Sequence, residues 1–442
     1  MVKAQATVVT WGCTHNQKDS QLIEQQLIMG GYQLLPESEM DDADVVVLNT
    51  CTVKTPTEDK ILYVLDSLQE SDKEVIVTGC LSQAEPEFLQ QRYPKYTLLG
   101  VNAANKILPS LNSNQYRNTL IPLESFSNSR NIRDNSKNWS EKPLLDSTQW
   151  NKNLNIVQIN EGCLNFCTFC ATKKARGHLR SYKPDHIIQA IRRLPTPEVW
   201  LTSQDTACWG FDQDDHLGNL LSEIDKIDRK FWVRVGMGNP NNLIKILDKV
   251  LTAYESEKIY KFLHLPVQAG SNRVLAHMRR GYTVEEYEEI VHAFHQHFPE
   301  LTLATDVICG YPTETEEEFE ETIQTIKKTR PEITNISRYW ERRGTVAAEM
   351  DQLSFEERKE RSTRLTKICK QIQLEDNKKW VGWTGEIFLA EKGSKGGIQA
   401  RNLAYRPIIV DAPDSSIGQW AEARITEARD TYFMGEIISD TI

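Results

Sequence analysis

The chain lacks long hydrophobic runs. No apolar stretch in its 442 residues approaches the roughly 20 residues needed to cross a membrane. Met1–Thr10 also lacks the apolar core and cleavage site of a signal peptide. We therefore expect a cytoplasmic protein without a membrane partner. In a reducing cytosol, its nine cysteines are more consistent with metal binding than with a disulfide framework.

An excess of positive charge is also missing. The chain has 52 Lys and Arg against 62 Asp and Glu, a formal net charge of −10. Since phosphate contacts require Lys and Arg, this balance gives no general support for a nucleic-acid partner. A local basic cluster would still provide such a surface. A chain of this length typically folds into about three domains.

The first part of the chain, residues 3–110, alternates predicted strands with helices. Three apolar runs each lead to a cysteine: Val8–Trp11 to Cys13, Val45–Leu48 to Cys51 and Val75–Val77 to Cys80. Continuous apolar runs separated by helices predict a parallel sheet buried on both faces, and such sheets bind ligands beyond the carboxyl ends of their strands. One of these cysteines alone would most simply be a buried structural residue. Three at equivalent strand ends predict a shared metal site.

The rest of the chain divides into three segments. Residues 111–148 are rich in Asn and Ser and predict a flexible linker with short ordered pieces. Residues 149–378 contain five predicted strand–helix repeats, which indicate a (β/α) barrel, complete or partial. Thr313 is expected to cap a helix there, with Glu316 as its capping-box partner. Residues 379–442 alternate polar and apolar residues between glycines and predict a small all-β barrel. The predicted fold class is therefore α/β with a C-terminal β module.

A compact cysteine motif carries the most specific signal. Cys163, Cys167 and Cys170 have C-x3-C-x2-C spacing. A structural zinc site takes four ligands, and only His178 lies near enough in sequence to add one. Three thiolates instead fit an iron–sulfur cluster that leaves one iron open to a ligand.

This motif, with Phe169 just before the last cysteine, resembles that of the radical S-adenosylmethionine superfamily. The resemblance implies a 4Fe-4S cluster whose open iron binds S-adenosylmethionine, and a 5′-deoxyadenosyl radical formed by electron transfer to that cofactor. The hard chemistry would thus belong to the cofactor, which the protein positions and shields.

The whole chain resembles the methylthiotransferase branch of that superfamily, whose members carry an N-terminal cluster domain, a radical barrel and a C-terminal module called TRAM. The three N-terminal cysteine motifs are Gly12–Asn16, Asn49–Val53 and Gly79–Cys80. Three further segments are most similar to the archaeal and eukaryotic tRNA enzymes: Ala171–Gly177, Trp200–Thr206 and Arg234–Pro240. One departure is Tyr339–Thr345, where relatives usually have a proline before the glycine.

That resemblance implies an activity and its partners. The enzymes it points to add a methylthio group to carbon 2 of threonylcarbamoyladenosine at tRNA position 37, beside the anticodon. Two 4Fe-4S clusters and S-adenosylmethionine, which serves as both methyl donor and radical source, would be required. The implied partners are the tRNA anticodon loop, a reductant protein and a sulfur donor.

Several other residues are candidates for binding. The resemblance implies that Phe169 lies along the adenine of the cofactor and Gln204 at its methionine amino group, with Arg234 and Gln268 as candidates for its carboxylate and ribose. A structural role in the loops is equally open for each of them. Lys173, Lys174, Arg176 and Arg180 form the clearest basic cluster and are predicted to contact RNA, although salt-bridged surface charges are the simpler interpretation. Cys208, Cys309 and Cys369 are isolated and are expected to lie in the core.

Two alternatives remain open. The same chemistry could act on isopentenyladenosine in tRNA or on an aspartate of a ribosomal protein. The chain could instead be a non-catalytic two-cluster protein that carries electrons or binds RNA. The predicted cofactor pocket argues against the second alternative, because an electron carrier does not need one.

Overall fold

The computed structural model describes residues 4–102, 104–112, 141–394 and 396–441. Most of the predicted linker, residues 113–140, lies outside the described residues. Its last part contains a 3-10 turn at Lys142–Leu144 that packs against the rest of the protein. Among the described residues, no helix combines the length and apolar character that a membrane crossing requires.

The N-terminal part is a five-stranded parallel sheet. Its strands are β1 (Gln5–Thr10), β2 (Gln33–Leu35), β3 (Val45–Thr50), β4 (Glu74–Gly79) and β5 (Thr97–Leu98). They are ordered β2-β1-β3-β4-β5. The order reverses between β1 and β3, and ligands bind at such a switch point in open α/β sheets. The helices of this part are α1 (Thr14–Met29), α2 (Thr55–Leu68), α3 (Cys80–Ala84), α4 (Pro86–Arg92) and α5 (Ile107–Asn112).

The central part is an open barrel of parallel strands. The strands in this region are β6 (Leu154–Gln158), β7 (Asn160–Glu161), β8 (Arg180–Ser181), β9 (Glu198–Thr202), β10 (Trp232–Val235), β11 (Phe262–His264), β12 (Thr302–Cys309) and β13 (Ile333–Arg338). Two three-stranded parallel sheets, β10-β9-β6 and β11-β12-β13, meet where a bridge joins Val233 to Ile259. The barrel therefore has six strands in chain order, one more than the five predicted. The additional strand, β13, is only half buried and has no continuous apolar run.

Helices lie between the barrel strands and after the last of them. They are α6 (Thr172–Arg176), α7 (Pro184–Arg193), α8 (Leu217–Asp225), α9 (Pro240–Leu243), α10 (Leu247–Tyr254), α11 (Asn272–His277), α12 (Val284–His297), α13 (Glu316–Thr329) and α14 (Phe355–Asn377). The predicted cap of α13 was wrong by two residues. Thr315 caps this helix and forms the capping box with Glu318, because the helix begins at Glu316 and its third residue is Glu318. Thr313 instead has a left-handed backbone, with φ of 67°.

The C-terminal part is a closed five-stranded barrel. Its strands are β14 (Thr384–Lys392), β15 (Ile398–Asn402), β16 (Pro407–Val410), β17 (Trp420–Ala428) and β18 (Phe433–Thr441), joined in the order β14-β15-β16-β18-β17. Aromatic rings attach this barrel to the central one: Tyr405 lies 4.8 Å from Tyr260 and 4.7 Å from Phe262 between ring centroids. Because β9, β10 and β11 meet it near their amino ends, their carboxyl ends lie away from it.

Candidate active site

The first cysteine trio lies at the carboxyl ends of three neighbouring strands. Cys13 follows β1, Cys51 follows β3 and Cys80 follows β4, on both sides of the switch point. Gly79 turns the chain into Cys80 with φ of 92°, and an added Cβ there would lie 2.5 Å from the carbonyl oxygen of Thr50. A residue with a side chain would therefore displace Cys80.

Asn16 holds the loops of this trio together. Its Nδ2 donates hydrogen bonds to the carbonyl oxygens of Trp11, at 2.8 Å, and Thr50, at 3.0 Å. Its Oδ1 lies 3.8 Å from the sulfur of Cys80. One buried amide thus connects all three cysteine-bearing loops. Sequence reasoning missed this role, although Asn16 is part of the quoted motif.

The second trio lies in the loop after β6. The short antiparallel pair β7 and β8 closes the base of this loop. Gly162 has φ of 71°, and a Cβ there would lie 2.0 Å from the carbonyl oxygen of His178. Consequently, the sharp turn into Cys163 requires glycine. The backbone N–H of Asn165 donates to the sulfur of Cys163 at 3.4 Å.

Both trios fit iron–sulfur clusters better than zinc. Zn–S bonds of about 2.3 Å would place ligand sulfurs about 4 Å apart. Within the described part of the chain, which includes all six cysteines, neither trio has its three sulfurs within 4.8 Å of one another. A cubane cluster places each thiolate on a different iron and so holds the sulfurs farther apart. His178 does not join them: its ring packs against Phe166 at 5.4 Å.

Burial changes the protonation of these thiols. Burial raises the pKa of Cys51, and it raises the pKa of Cys80 and of Cys163 to about 12. Neighbouring backbone N–H groups oppose this shift at Cys51 and Cys163, because they donate to the sulfur and lower its pKa. Buried thiols of this kind become thiolates when a metal centre binds them.

Arg280 makes a contact with the second trio that sequence reasoning missed. Its Nη1 lies 3.3 Å from the sulfur of Cys167, and Arg280 itself is only 6% exposed. Tyr282 lies beside it, with its hydroxyl 3.3 Å from Nε of Arg280. A buried guanidinium beside a metal-binding sulfur stabilises negative charge there. No spacing rule links Arg280 to the cysteine motif, which lies more than a hundred residues away in the chain.

A cavity of about 420 Å³ lies between the two cysteine sites. Thr52, Val53 and Lys54, directly after Cys51, line this cavity together with Phe169 and Cys170. The cavity is therefore lined by Cys170 and by the segment that follows Cys51. Two reactive centres at these positions would face the same cavity.

The four predicted cofactor residues separate into three groups. Phe169 and Gln268 line the cavity, as a cofactor-binding role requires. Gln204 accepts a hydrogen bond of 2.7 Å from the backbone N–H of Gly162, so it supports the cysteine loop. Arg234 does not line the cavity. Its guanidinium instead lies 5.4 Å from the ring centroid of Tyr405 in the C-terminal barrel.

The predicted basic cluster is not one continuous surface. Arg176 is 4% exposed and forms buried ion pairs, so the prediction that it contacts RNA was wrong. Lys173 lies 4.1 Å above the ring of Phe166 and donates to the carbonyl oxygen of Cys163. Lys174 is 40% exposed and pairs with Glu85 at 2.9 Å. Arg180, in β8, is half buried.

Arg176 belongs to a buried charge network between the two cysteine sites. It donates to Asp19 at 2.7 Å and to Glu161 at 2.9 Å. Lys142, from the end of the predicted linker, pairs with the same two carboxylates, and His15 lies 2.9 Å from Glu161. Asp19, Glu161 and His15 are close enough to hold a metal ion. Because two cations already balance the two carboxylates, we interpret the network as a clamp between the N-terminal sheet and the central barrel.

Three family models match the chain. Residues 5–100 match a model described as uncharacterized protein family UPF0004, residues 157–326 match the radical SAM superfamily, and residues 378–438 match the TRAM domain. The predicted α/β architecture with a C-terminal β-barrel is thus confirmed. The structure is also similar to the radical S-adenosylmethionine methyltransferase TsrM from Kitasatospora setae, with a TM-score of 0.57 at 13% identity, over 78% of this chain and 75% of that chain. At this identity the likeness shows the fold alone.

Relatives match over nearly the whole chain. A probable threonylcarbamoyladenosine tRNA methylthiotransferase from Pyrococcus horikoshii is 40% identical, over 98% of this chain and 99% of its own length. The threonylcarbamoyladenosine tRNA methylthiotransferases of Drosophila melanogaster and Homo sapiens are 34% and 31% identical over 98% of this chain, and over 77% and 73% of their own lengths. Identity at this level over nearly the full length of both chains places this protein in the threonylcarbamoyladenosine tRNA methylthiotransferase family, a family of radical S-adenosylmethionine enzymes.

Proposed function

We propose that this protein converts threonylcarbamoyladenosine at tRNA position 37 to its 2-methylthio derivative. The observation that supports this most directly is the cavity lined by Thr52 and Val53, directly after Cys51, and by Cys170. Methylthiolation needs a sulfur source and a hydrogen-abstracting centre at one carbon atom. A single cavity between two thiol trios meets that requirement.

Each trio would hold one 4Fe-4S cluster, giving two clusters in the chain. Cys13, Cys51 and Cys80 would hold the first, and Cys163, Cys167 and Cys170 the second. When bound, the first cluster would carry sulfur for transfer, and the second would supply the electron that cleaves S-adenosylmethionine.

The residues around the cavity would position the cofactor and the base. Phe169 would pack along the adenine of S-adenosylmethionine, and Gln268 would bind its polar part. Asn16 would keep the first trio in place through its two amide hydrogen bonds. The cavity walls would exclude water from the reacting carbon. Arg234 and Gln204 would act through the structure around them, since their present contacts are with Tyr405 and Gly162.

The tRNA anticodon loop would approach over Lys174 and Arg180, with the C-terminal barrel as a second contact. These two cations would pair with phosphates and make binding dependent on salt. A reductant protein and a sulfur donor would complete the cycle. We also propose that the chain divides into four segments, with the bounds 3–110, 111–148, 149–378 and 379–442.

The direct test is mass spectrometry of tRNA nucleosides from cells with and without the protein. We expect the 2-methylthio derivative of threonylcarbamoyladenosine to disappear in its absence while threonylcarbamoyladenosine itself accumulates. Complementation with Cys167→Ala should not restore the product. Loss of methylthio-isopentenyladenosine instead would identify the other tRNA base as substrate. An unchanged nucleoside profile would contradict the proposal and favour a non-catalytic role.

A further inference from the structure

Arg338 occupies an unusual position at the cavity. It is the last residue of β13, and its side chain lines the cavity wall. The guanidinium lies 5.3 Å from the ring centroid of Trp340 and 5.0 Å from that of Phe355. These rings restrict where the planar group can point. Within the described residues, the guanidinium of Arg338 makes no ion pair and no side-chain hydrogen bond.

Two other charged residues that line the cavity, Arg342 and Asp306, have partners. Arg342 pairs with Glu58 at 3.1 Å and donates to the carbonyl oxygen of Val53 at 3.2 Å. Asp306, the one carboxylate among the lining residues, accepts from Asn335 at 2.8 Å and lies 3.1 Å from His264. The cavity thus presents a guanidinium whose donors are free for a ligand. Lys54, which also lines the cavity, is exposed and adds a second positive charge.

Cations of this kind favour an anionic ligand group. A guanidinium offers paired N–H donors in a fixed plane and binds a carboxylate through two parallel hydrogen bonds. The threonylcarbamoyl group carries a carboxylate, whereas an isopentenyl group is uncharged and cannot accept a hydrogen bond. A base with an apolar substituent would leave Arg338 partly desolvated without a partner, which is unfavourable.

We propose that Arg338 binds the carboxylate of the threonylcarbamoyl substituent and thereby selects this base over one with an apolar substituent. The proposal rests on the function proposed above. It assigns a specificity-determining contact at the end of β13. Lys54 contributes longer-range attraction from the N-terminal sheet.

The test pairs a change in the protein with a change in the ligand. The probes are anticodon stem-loop RNAs carrying threonylcarbamoyladenosine or its methyl ester, which removes the negative charge and keeps the shape. Binding to the reconstituted, oxygen-protected protein is measured by fluorescence anisotropy at fixed salt. We expect the wild-type protein to bind the acid about 10- to 100-fold more tightly than the ester, the range of a charge-assisted hydrogen bond. Arg338→Met should bind both RNAs equally, and Arg338→Lys should keep part of the preference.

Arg192→Met provides a matched control, because it removes an exposed arginine from α7 on the outer face of the barrel. It should keep the full preference for the acid. If Arg338→Met also keeps that preference, the assignment is wrong. The same holds if Arg338→Met weakens binding of S-adenosylmethionine while the preference persists, since the carboxylate bound would then be that of the cofactor. Failure of the wild-type protein to methylthiolate the acid-bearing RNA would instead overturn the proposed function.

Discussion

Arg176 and Asp19 form a buried ion pair, 2.7 Å long, that joins the central barrel to the N-terminal sheet. Arg176 is the last residue of α6, the short helix directly after the second cysteine trio, and Asp19 belongs to α1, the helix that follows Cys13. Through this pair and its neighbours Glu161 and Lys142, the two cysteine sites share one set of supporting contacts. We expect this network to help fix the distance between the two sites.

Substitution of Arg176 should therefore weaken the contact between the two parts. Arg176→Met leaves the carboxylates of Asp19 and Glu161 short of one positive charge, which typically costs about 3–5 kcal/mol at a buried site. The measurement is urea unfolding of the anaerobic protein. Lys174→Met is the control, since it removes an exposed ion pair to Glu85 that is worth about 0–1 kcal/mol. Equal unfolding midpoints for the two variants would contradict a clamping role.

The two trios should bind separate clusters. We expect about eight irons per reconstituted chain and about four after either Cys51→Ala or Cys167→Ala. Cys167→Ala should abolish formation of 5′-deoxyadenosine, and Cys51→Ala should abolish methylthio transfer. Iron analysis and product chromatography provide the measurements. Cys369→Ala, a change at a buried core cysteine, is the control and should keep all eight irons. A wild-type content of four irons, or stoichiometric zinc, would refute the two-cluster proposal.

Arg280 should raise the reduction potential of the second cluster. Its N–H group donates to Cys167 at 3.3 Å, and its charge stabilises the more negative, reduced state. Arg280→Met should lower the potential by about 60 mV, which corresponds to about 1.4 kcal/mol for one electron. Potentiometric titration followed by electron paramagnetic resonance measures the shift.

A smaller shift is expected for Arg280→Lys, because that variant keeps the charge. Arg279→Met serves as the control, since Arg279 is the exposed neighbour. If Arg280→Met has the wild-type potential while its cluster is fully assembled, the contact has no electrostatic role.

Lys18 should make stability depend on pH. It lies on α1, is 6% exposed, and burial lowers its pKa to about 7. In the unfolded chain, a lysine has a pKa of about 10.4. Between pH 7 and that value, the unfolded chain therefore binds one more proton than the folded chain, and the free energy of unfolding rises with pH. Lys18→Met removes the free-energy cost of burying a charged lysine. Its gain in melting temperature should be largest near pH 7 and below, and should shrink as the pH approaches 10.

The control for that experiment is Lys152→Met, which replaces an exposed lysine. Its melting temperature should follow that of the wild-type protein at every pH. A constant difference between Lys18→Met and the wild-type protein across the window would show that Lys18 is not titrating there.

Local sequence patterns predicted most of the strands and helices. Apolar runs identified β3 and β4, and the five predicted strand–helix repeats account for five of the six barrel strands. The missed strand β13 is half buried and mixes polar with apolar residues, so the periodicity of its sequence gave no clear signal. The cap of α13 was misplaced because Thr313 and Thr315 both precede the acidic run, and only the backbone distinguishes them.

Some of the site residues could also be predicted from local sequence, and others could not. The six cysteines were recognisable because each trio follows a local rule, either a fixed spacing or a position directly after a strand. Arg176 was misassigned because a basic residue in a loop usually faces solvent, and its partner Asp19 is 157 residues away. Arg280 and Lys142 carry no motif at all.

The sequence by itself thus determined which thiols are expected to bind metal, the order of sheet, barrel and β module, and the family. These depend on short-range spacing and on apolar periodicity, which involve only residues that are close together in the sequence. The tertiary structure decided which charges are buried, which arginine meets a cysteine sulfur, and which one remains available to a ligand in the cavity. Such contacts join residues far apart in the chain, and no local rule specifies them, because they arise only when separate elements pack together.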